Sequence, residues 1–478
     1  MRALRLTVVA TLVAAACATN PATGRRQLIL MSEAEEIQLG KQADEQVRQQ
    51  MGVYDAPQLQ AYIDRVGQRL ARSSHRPDLP WTFTVVDQQA VNAFALPGGF
   101  IYLTRGILPF LRDEAELAAV LGHEVGHVDA RHSVEAYSRQ QLAGGGLLLA
   151  SILSPETQAL QGLAGLGLGL LFLQNSREAE LESDQLGVQY VAANGWAPSG
   201  MPGLLTTLAR LDQANGATRG IPNWAMTHPP AADRVERVQT AVTAAQGPNA
   251  SARNPAEFER AIDGVVFGDS REQGMVRGNE FIHPILRFAW TFPRGWDVTN
   301  SAEQVTAVPE GNANAAMVLQ LAPNPSGSVE QTARRNMSEA GYQQVEGGAT
   351  QINGLQAYVG TYTRTAQSGQ TVVRAAHIRA GDQTYIVAGV ATPQQFQAAR
   401  DTFGSSIGTF RAISRQEADR IQPSRVDFYT VRSGESWSSI AAGPGDGILE
   451  ASTLAIMNGR SPDEGPRAGE RIRLVVGG

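Results

Sequence analysis

Two histidines with a glutamate between them constrain this chain more than any other feature. The segment 113–137, DEAELAAVLGHEVGHVDARHSVEAY, starts with acidic residues and carries apolar residues at helical spacing, which predicts one amphipathic helix. His123 and His127 are four apart and therefore share a face of that helix. Both imidazoles can reach one metal ion, and Glu124 can reach a water molecule beside it. The alternative interpretation is a helix with two hydrogen-bonded histidines and no metal.

A zinc ion held by two histidines needs a third protein ligand. The metzincin pattern would place glycine at 130 and histidine at 133, but the chain has Ala130 and Ser133, so that class is excluded. We also expect His132 to lie off the ligand face.

The segment 176–195, SREAELESDQLGVQYVAANG, offers carboxylates instead. It predicts a second helix that begins at a capping serine and ends at a glycine. Glu180 can supply the third ligand, and Asp184, four residues later, can accept a hydrogen bond from a liganding histidine. On composition alone Glu178 and Glu182 compete with Glu180. A solvated acidic helix without a metal is the alternative for the whole segment.

Size and charge set the limits for the rest of the chain. Its 478 residues, 42% of them apolar, are enough for several domains with buried cores. The formal net charge of −6 leaves no broad basic surface, so we expect no nucleic-acid partner.

The N-terminus predicts export. Arg2 and Arg5 precede an apolar run at 6–16, which is typical of a signal peptide over 1–16 and too short to span a bilayer. Cys17 is the only cysteine and cannot form an intramolecular disulfide. Its position resembles a bacterial lipoprotein signal, which implies a lipid on Cys17, a tether over 17–30 and a periplasmic protein held at a membrane. Ala18 favours the outer membrane, and an ordinary small-residue cleavage site is the alternative.

Several motifs in order carry a family resemblance. HEVGH, SREAELESD, NGWAPSGM and THPPAADRVERV together resemble the HtpX/BepA-type gluzincin metalloprotease family, which includes prenyl-protein endopeptidases, over about residues 30 to 245. The resemblance implies a mainly α-helical zincin domain with a small β-sheet over 31–245. It implies one Zn²⁺ per chain, with His123, His127 and Glu180 as ligands, Glu124 as general base and Asp184 behind a ligand.

The same resemblance implies a function. We expect a zinc metalloendopeptidase that hydrolyses peptide bonds in misfolded or stalled envelope proteins, as a form of quality control. The competing hypothesis is a chaperone or assembly factor with a latent zinc site. Cleavage of peptidoglycan peptides is a third hypothesis and ranks behind both.

Two further stretches of the predicted domain match the resemblance. NAFALPGGFIYLTRGIL, residues 92–108, predicts a hairpin whose edge strand could hold an extended peptide. His228 in MTHPP matches a histidine that can occupy the fourth zinc position and inhibit the enzyme; capping of the following helix is the alternative.

Arg234 and Tyr190 are candidate transition-state stabilisers, chosen by reach alone. Residues 142–174 predict two buried helices, with partial membrane contact as the alternative.

The chain after residue 245 predicts two more domains. Residues 246–275 have linker composition, and 276–415 predict an α+β domain without a catalytic constellation. Its element order and FPRGW motif resemble PsbP-like domains. Residues 425–478 resemble a LysM module, a small βααβ fold, which implies peptidoglycan as a partner; a packing module that binds no glycan is the alternative. The expected architecture is thus multidomain.

Overall fold

The computed structural model describes residues 17–142, 175–215, 224–229, 231–245, 250–301, 304–311, 314–366 and 369–478. The signal segment 1–16 and the predicted apolar segment 142–174, apart from its first residue, lie outside these ranges. Of the described residues, those up to 268 together with 424–477 form one compact unit, and 269–423 form a second. In these ranges no helix has the length and apolar character needed to cross a membrane.

The helices and strands are numbered in chain order over the described residues. The helices α1 to α14 are Glu33–Met51, Pro57–Arg72, Glu114–Asp129, His132–Leu142, Arg177–Ala193, Gly200–Asn215, Trp224–Thr227, Ala232–Ala245, Pro255–Ile262, Val329–Glu339, Pro393–Ile407, Arg415–Arg420, Trp437–Ala442 and Ala451–Met457. The strands β1 to β19 are Cys17–Thr19, Arg26–Leu28, Thr82–Val86, Ala93–Leu96, Phe100–Thr104, Val266–Phe267, Met275–Arg277, Glu280–His283, Phe288–Thr291, Trp296–Asn300, Gln304–Pro309, Ala315–Leu321, Gln343–Ile352, Leu355–Ala366, Gly369–Ala380, Gln383–Ala391, Arg411–Ala412, Ser424–Thr430 and Arg471–Val476.

Helices α3, α5, α6 and α8 pack together in the first unit, beside a three-stranded sheet. The strand order is β3-β5-β4, with β3 and β5 parallel and β4 antiparallel to β5. The predicted hairpin is therefore confirmed, with β4 at a sheet edge. Its turn needs glycine, because Gly98 and Gly99 have φ values of 81° and 100°.

The prediction of one continuous helix over 113–137 is wrong in one respect, because the structure has two helices there, α3 and α4. Arg131, between the two helices, has a left-handed φ of 58°. Its guanidinium binds the carboxylate of Glu36 at 2.8 Å, and Gln27 donates to the carbonyl of Ala130 at 2.7 Å. These tertiary contacts hold the break, and the local apolar pattern contains no signal for them.

The segment predicted as a linker, 246–275, contains structured elements of the first unit. Helix α9 buries Phe258 and Ile262 completely in the main core, and β6 pairs with β18 near the C-terminus. The Gly, Pro, Asn and Ser content that predicted a linker belongs to the residues before α9. The i, i+4 spacing of its two apolar side chains is the helical signal.

The second unit is built on a seven-stranded antiparallel sheet in the order β10-β11-β12-β16-β15-β14-β13. Helices α10 and α11 pack on this sheet, and β17-β9-β8-β7 form a smaller sheet. The sequence predicts strands at 288–292, 317–321, 355–363, 371–378 and 384–390, and these correspond to β9, β12, β14, β15 and β16. The edge strand β13 was not predicted, because nine of its ten residues are exposed and it has no apolar pattern.

The C-terminal residues form a β-α-α-β module that is part of the first unit. Strands β18 and β19 pair antiparallel, and Trp437 lies in the module's own core. Ile456, Met457 and Val475 pack against Phe110 and Leu211 of the preceding residues.

Candidate metal centre

Close packing of α3 against α5 brings the predicted ligands together. A Cβ atom on Gly126 would lie 3.1 Å from the Cα of Ser183, and one on Gly122 would lie 3.2 Å from the carbonyl oxygen of Gly187. Small residues at these positions allow the two helices to approach closely. Asp113 caps α3 and Ser176 caps α5, and the serine cap agrees with the sequence prediction.

Four side chains converge between these helices. Potential ligand atoms of His123, His127, Glu180 and His228 all lie within 4.8 Å of one another. The Nε2 atoms of His123 and His127 are 3.0 Å apart, and the His127 Nε2 is 3.3 Å from Glu180 Oε1. The His228 Nδ1 lies 2.9 Å from the same Glu180 oxygen.

Asp184 and Arg234 contact two members of this cluster, His123 and Glu180. Asp184 Oδ1 lies 3.0 Å from His123 Nδ1, the ring nitrogen that faces away from the other ligands. Arg234 Nε donates to Asp184 Oδ2 at 2.8 Å, and Arg234 Nη1 lies 2.6 Å from Glu180 Oε2. Asp184 therefore fixes the orientation of one histidine, and Arg234 joins the two acids.

The donor set fits a zinc ion. Two imidazole nitrogens and a carboxylate oxygen are the ligands of a catalytic zinc site, and here each belongs to a side chain that is at most 3% exposed. Glu124 is 1% exposed, and within the described ranges its Oε1 has no hydrogen-bond partner. A buried carboxylate oxygen without a hydrogen bond, beside such ligands, is suited to a metal-activated water.

Comparison with known proteins agrees with this geometry. Residues 57–242 match the model of Peptidase family M48. This matched stretch is called the M48 domain. The match includes α3, α5 and the His228 loop, and the resemblance to gluzincin metalloproteases inferred from the sequence is confirmed.

Two named relatives share the domain. The chain is 31% identical over 250 residues to the Beta-barrel assembly-enhancing protease of Escherichia coli (strain K12), an alignment that covers 48% of this chain and 50% of that protein. It is 33% identical over 186 residues to the Mitochondrial metalloendopeptidase OMA1 of Schizosaccharomyces pombe (strain 972 / ATCC 24843), covering 39% and 53%. The chain thus spans about half the length of the curated relatives it matches.

Among solved structures, cyanobacterial PsbP from Synechocystis sp. PCC 6803 aligns with 30% of this chain and 98% of its own. Sequence identity is 10% and the TM-score is 0.25, and no conclusion about fold or function follows from so slight a likeness.

Burial and charge shift the pKa values of the acids of the M48 domain in opposite directions. Burial raises the pKa of Glu124. Burial would also raise the pKa of Glu180, but the charges of His228, Arg234 and His127 outweigh it and hold that pKa well below its ordinary value. Glu180 thus favours the ionised form that a metal ligand needs. Glu124 holds a proton more readily, as a proton-transferring group should.

His228 stands in the cluster as the fourth protein side chain. Trp224 stacks on its ring at a centroid distance of 4.0 Å, and the backbone N–H of His228 donates to the carbonyl of Trp224 at 2.8 Å. The N–H of Trp224 donates to the carbonyl of Val91 at 3.0 Å, next to strand β4. This short stretch therefore holds His228 between the ligands and the sheet edge.

Glu178 and Glu182, the alternatives to Glu180, and also Tyr190 lie outside the ligand cluster. Glu178 is exposed, and Glu182 contacts His132 and the N-terminal hairpin. The hydroxyl of Tyr190 donates to Asp129 at 2.6 Å.

Two site residues escaped the sequence prediction. His132 is not among the four clustered ligand side chains, as expected, but its Nδ1 is 2.9 Å from the Nδ1 of His127, a contact that the sequence did not predict. An unbroken helix would turn it away, and the break at Arg131 brings it back. Trp224 had a usable signal, because in WAMTH it precedes His228 by four residues, the spacing of neighbours on a helix.

Proposed function

We propose that this chain is a zinc metalloendopeptidase of the bacterial cell envelope. One observation carries the proposal: His123, His127 and Glu180 converge within ligand distance beside the buried carboxylate of Glu124. The M48 domain supports the same activity, as do the names of its relatives, one a protease and the other a metalloendopeptidase.

The residues divide the chemistry between them. A zinc ion held by His123, His127 and Glu180 would acidify a water molecule and polarise the scissile carbonyl. Glu124 accepts the proton of the attacking water and returns it to the leaving amine as the peptide bond breaks. Its raised pKa suits both transfers, since a group that releases a proton too readily is a poor base and one that never releases it is a poor acid.

We assign Asp184 and Arg234 to positioning. Asp184 holds the distal nitrogen of His123, and Arg234 holds Asp184 and Glu180 together. A direct contact of Arg234 with the transition state, the hypothesis drawn from the sequence, requires one of these two ion pairs to open.

We propose that His228 inhibits the site in this conformation. A fourth protein ligand would leave no coordination position for the catalytic water. The zinc would then have four protein ligands, as in a structural zinc site. His228 Nε2 also lies 3.8 Å from Glu124 Oε1, so the same ring screens the general base. Activity then requires the loop to move.

The same loop lies against the edge that a substrate would use. Trp224 hydrogen-bonds Val91, and Thr227 Oγ1 lies 3.3 Å from Asn92 Oδ1, both directly before β4. An extended peptide added to the β4 edge would reach this same region, so we propose that substrate entry and release of His228 are linked.

For the substrates we propose misfolded or stalled envelope proteins. One relative is named for enhancing β-barrel assembly, and a periplasmic site of action agrees with the export signal. Lipidation of Cys17 would hold the protein at the outer membrane, and the hairpin of β1 and β2 follows directly from that residue.

The remaining parts carry binding proposals. The β-α-α-β order of the C-terminal module supports a LysM-like fold, so we propose peptidoglycan as a second partner, testable by co-sedimentation with purified cell walls. The packing of Met457 and Val475 on Phe110 favours the packing alternative. The α+β unit is proposed as a PsbP-like binding or assembly module.

A chaperone or assembly factor with a latent site is the second candidate function. The occupied fourth position at His228 favours it, because a site that never opens never cleaves. An experiment in cells distinguishes the two functions. If the Glu124→Gln variant still supports envelope integrity, the chaperone function is favoured.

Glu180 and Glu178 provide a matched test of the ligand set. Glu180→Gln should lose stoichiometric zinc and casein hydrolysis, whereas Glu178→Gln, on the exposed side of the same helix, should keep both. Zinc is measured by atomic emission on purified protein. Retention of one zinc by Glu180→Gln, or its loss from Glu178→Gln, would contradict the assigned ligands.

A further inference from the structure

The orientation of His127 requires a partner for its second ring nitrogen. Its Nε2 faces His123 Nε2 at 3.0 Å and Glu180 Oε1 at 3.3 Å, so Nε2 is the nitrogen that offers a lone pair to a metal. In a neutral imidazole the proton then sits on Nδ1, which must donate a hydrogen bond. The ring can be held in place only by an acceptor on that side.

His123 and His127 differ in the acceptor they find. His123 Nδ1 faces the carboxylate of Asp184 at 3.0 Å, the usual support for a metal-ligating histidine. His127 Nδ1 faces His132 Nδ1 at 2.9 Å. His132 is 4% exposed and follows directly after the helix break at Arg131.

This contact defines the protonation of His132. If His132 Nδ1 accepts a hydrogen bond from the Nδ1–H of His127, the neutral His132 ring carries its own proton on Nε2. That nitrogen points toward the carboxylate of Glu182, 3.7 Å from Oε2. Ser183 Oγ also approaches His132 Nδ1, but at 3.3 Å, farther than His127.

Glu182 is held in turn by the N-terminal hairpin of β1 and β2. Its Oε1 accepts hydrogen bonds from Asn20 Nδ2 at 2.6 Å and from Thr23 Oγ1 at 2.9 Å, and Arg25 Nη2 lies 3.5 Å from Oε2. The same hairpin donates from Gln27 to the carbonyl of Ala130. The hairpin therefore contacts both the carboxylate and the helix break that places His132.

We propose that His132 and Glu182 are positioning residues for His127, and that the N-terminal hairpin belongs to the support of the metal centre. His132 contacts both His127 and the carboxylate of Glu182 and so links the two. The inference rests on the proposed zinc site and adds the residues that orient its second histidine.

Zinc affinity tests the inference. His132→Leu removes the acceptor and should weaken zinc binding about 10- to 100-fold, whereas His132→Asn, whose amide oxygen can accept the hydrogen bond, should restore most of it. Glu182→Gln should weaken binding about tenfold, and Glu178→Gln should not change it. Affinity is measured by competition with a fluorescent chelator, and coordination geometry by the visible spectrum of the cobalt-substituted protein.

A variant at an exposed position of the hairpin tests the inference even if the variants with buried substitutions fail to fold. Thr23→Val changes an exposed side chain and removes one bond to Glu182, so it should weaken zinc binding a fewfold and shift the cobalt spectrum in the direction of Glu182→Gln. Wild-type affinity and spectrum in His132→Leu, Glu182→Gln and Thr23→Val would overturn the inference and leave the zinc site intact. Absence of zinc from the wild-type protein would instead overturn the proposed function.

Discussion

Arg234 is the residue that joins the two acids of the metal centre. It is 3% exposed and bridges Asp184 and Glu180, so the three side chains form a buried ionic cluster. Such a cluster is strongly destabilised when one partner is removed, because the remaining charges stay buried without compensation.

Arg234→Met should therefore lower the free energy of unfolding of the zinc-depleted protein by about 3–5 kcal/mol. Arg237→Met, one turn later on the exposed side of α8, is the control and should change it by less than about 0.5 kcal/mol. Urea unfolding measures both. Equal stability of the two variants would mean that the Arg234 ion pairs add nothing to the fold.

The ligands could be predicted residue by residue, but part of their support could not. The roles of His123, Glu124 and His127 follow from their spacing on one helix, whereas the choice of Glu180 over Glu178 and Glu182 follows from the family resemblance. His132 could not be placed, because its position depends on contacts of Arg131 with Glu36 and of Ala130 with Gln27, each about a hundred residues away in the chain.

Among the elements, strands with one buried face were predictable and exposed ones were not. The strands β14, β15 and β16 carry apolar side chains that the sequence pattern reveals, whereas β13 is polar and is held by its hydrogen bonds to β14. The sequence predicts a linker where helix α9 lies, because glycine and proline in the loop before the helix dominate the local composition.

Strand β15 also contains a buried histidine that should make the second unit sensitive to acid. His377 is fully buried, and within the described residues neither ring nitrogen has a hydrogen-bond partner. Burial lowers the pKa of His377 to about 4, and that of His283 in β8 also to about 4. Both values lie below the ordinary value near 6.5 expected in the unfolded chain.

Because the unfolded chain binds these protons more readily, stability is full above about pH 6.5 and falls as the pH approaches 4. We expect a loss of about 2 kcal/mol per histidine between pH 7 and pH 5. His377→Leu should remove about half of this dependence, and adding His283→Leu should remove most of the rest. A urea midpoint with the same pH dependence in wild type and double variant would contradict the prediction.

For the whole molecule, the C-terminal module is an integral part of the unit that contains the metal centre. Arg473 of β19 is 7% exposed and donates to the carbonyl of Leu111, two residues before the cap of α3. Met457 is fully buried in the cluster that includes Phe110 and Leu211. A tethered module that moved freely would leave these side chains exposed.

Met457→Ala should destabilise the M48 domain together with the module, by about 2–5 kcal/mol, because it opens a cavity at their contact. Ser452→Ala, on the same helix α14 but outside that cluster, is the control. Hydrogen exchange of amides in α3 and α14 reports both parts. Faster exchange in α14 alone would show that the module unfolds independently of the M48 domain.

The central claim is a zinc endopeptidase that His228 holds inactive, and one measurement tests it most directly. Zinc content and casein hydrolysis are compared for the wild type, Glu124→Gln and His228→Ala. We expect one zinc in each, slow hydrolysis by the wild type, faster hydrolysis by His228→Ala, and a rate for Glu124→Gln that is lower by roughly 10²–10⁴-fold. Bound zinc with no hydrolysis by either the wild type or His228→Ala would contradict the claim and favour the latent-site chaperone.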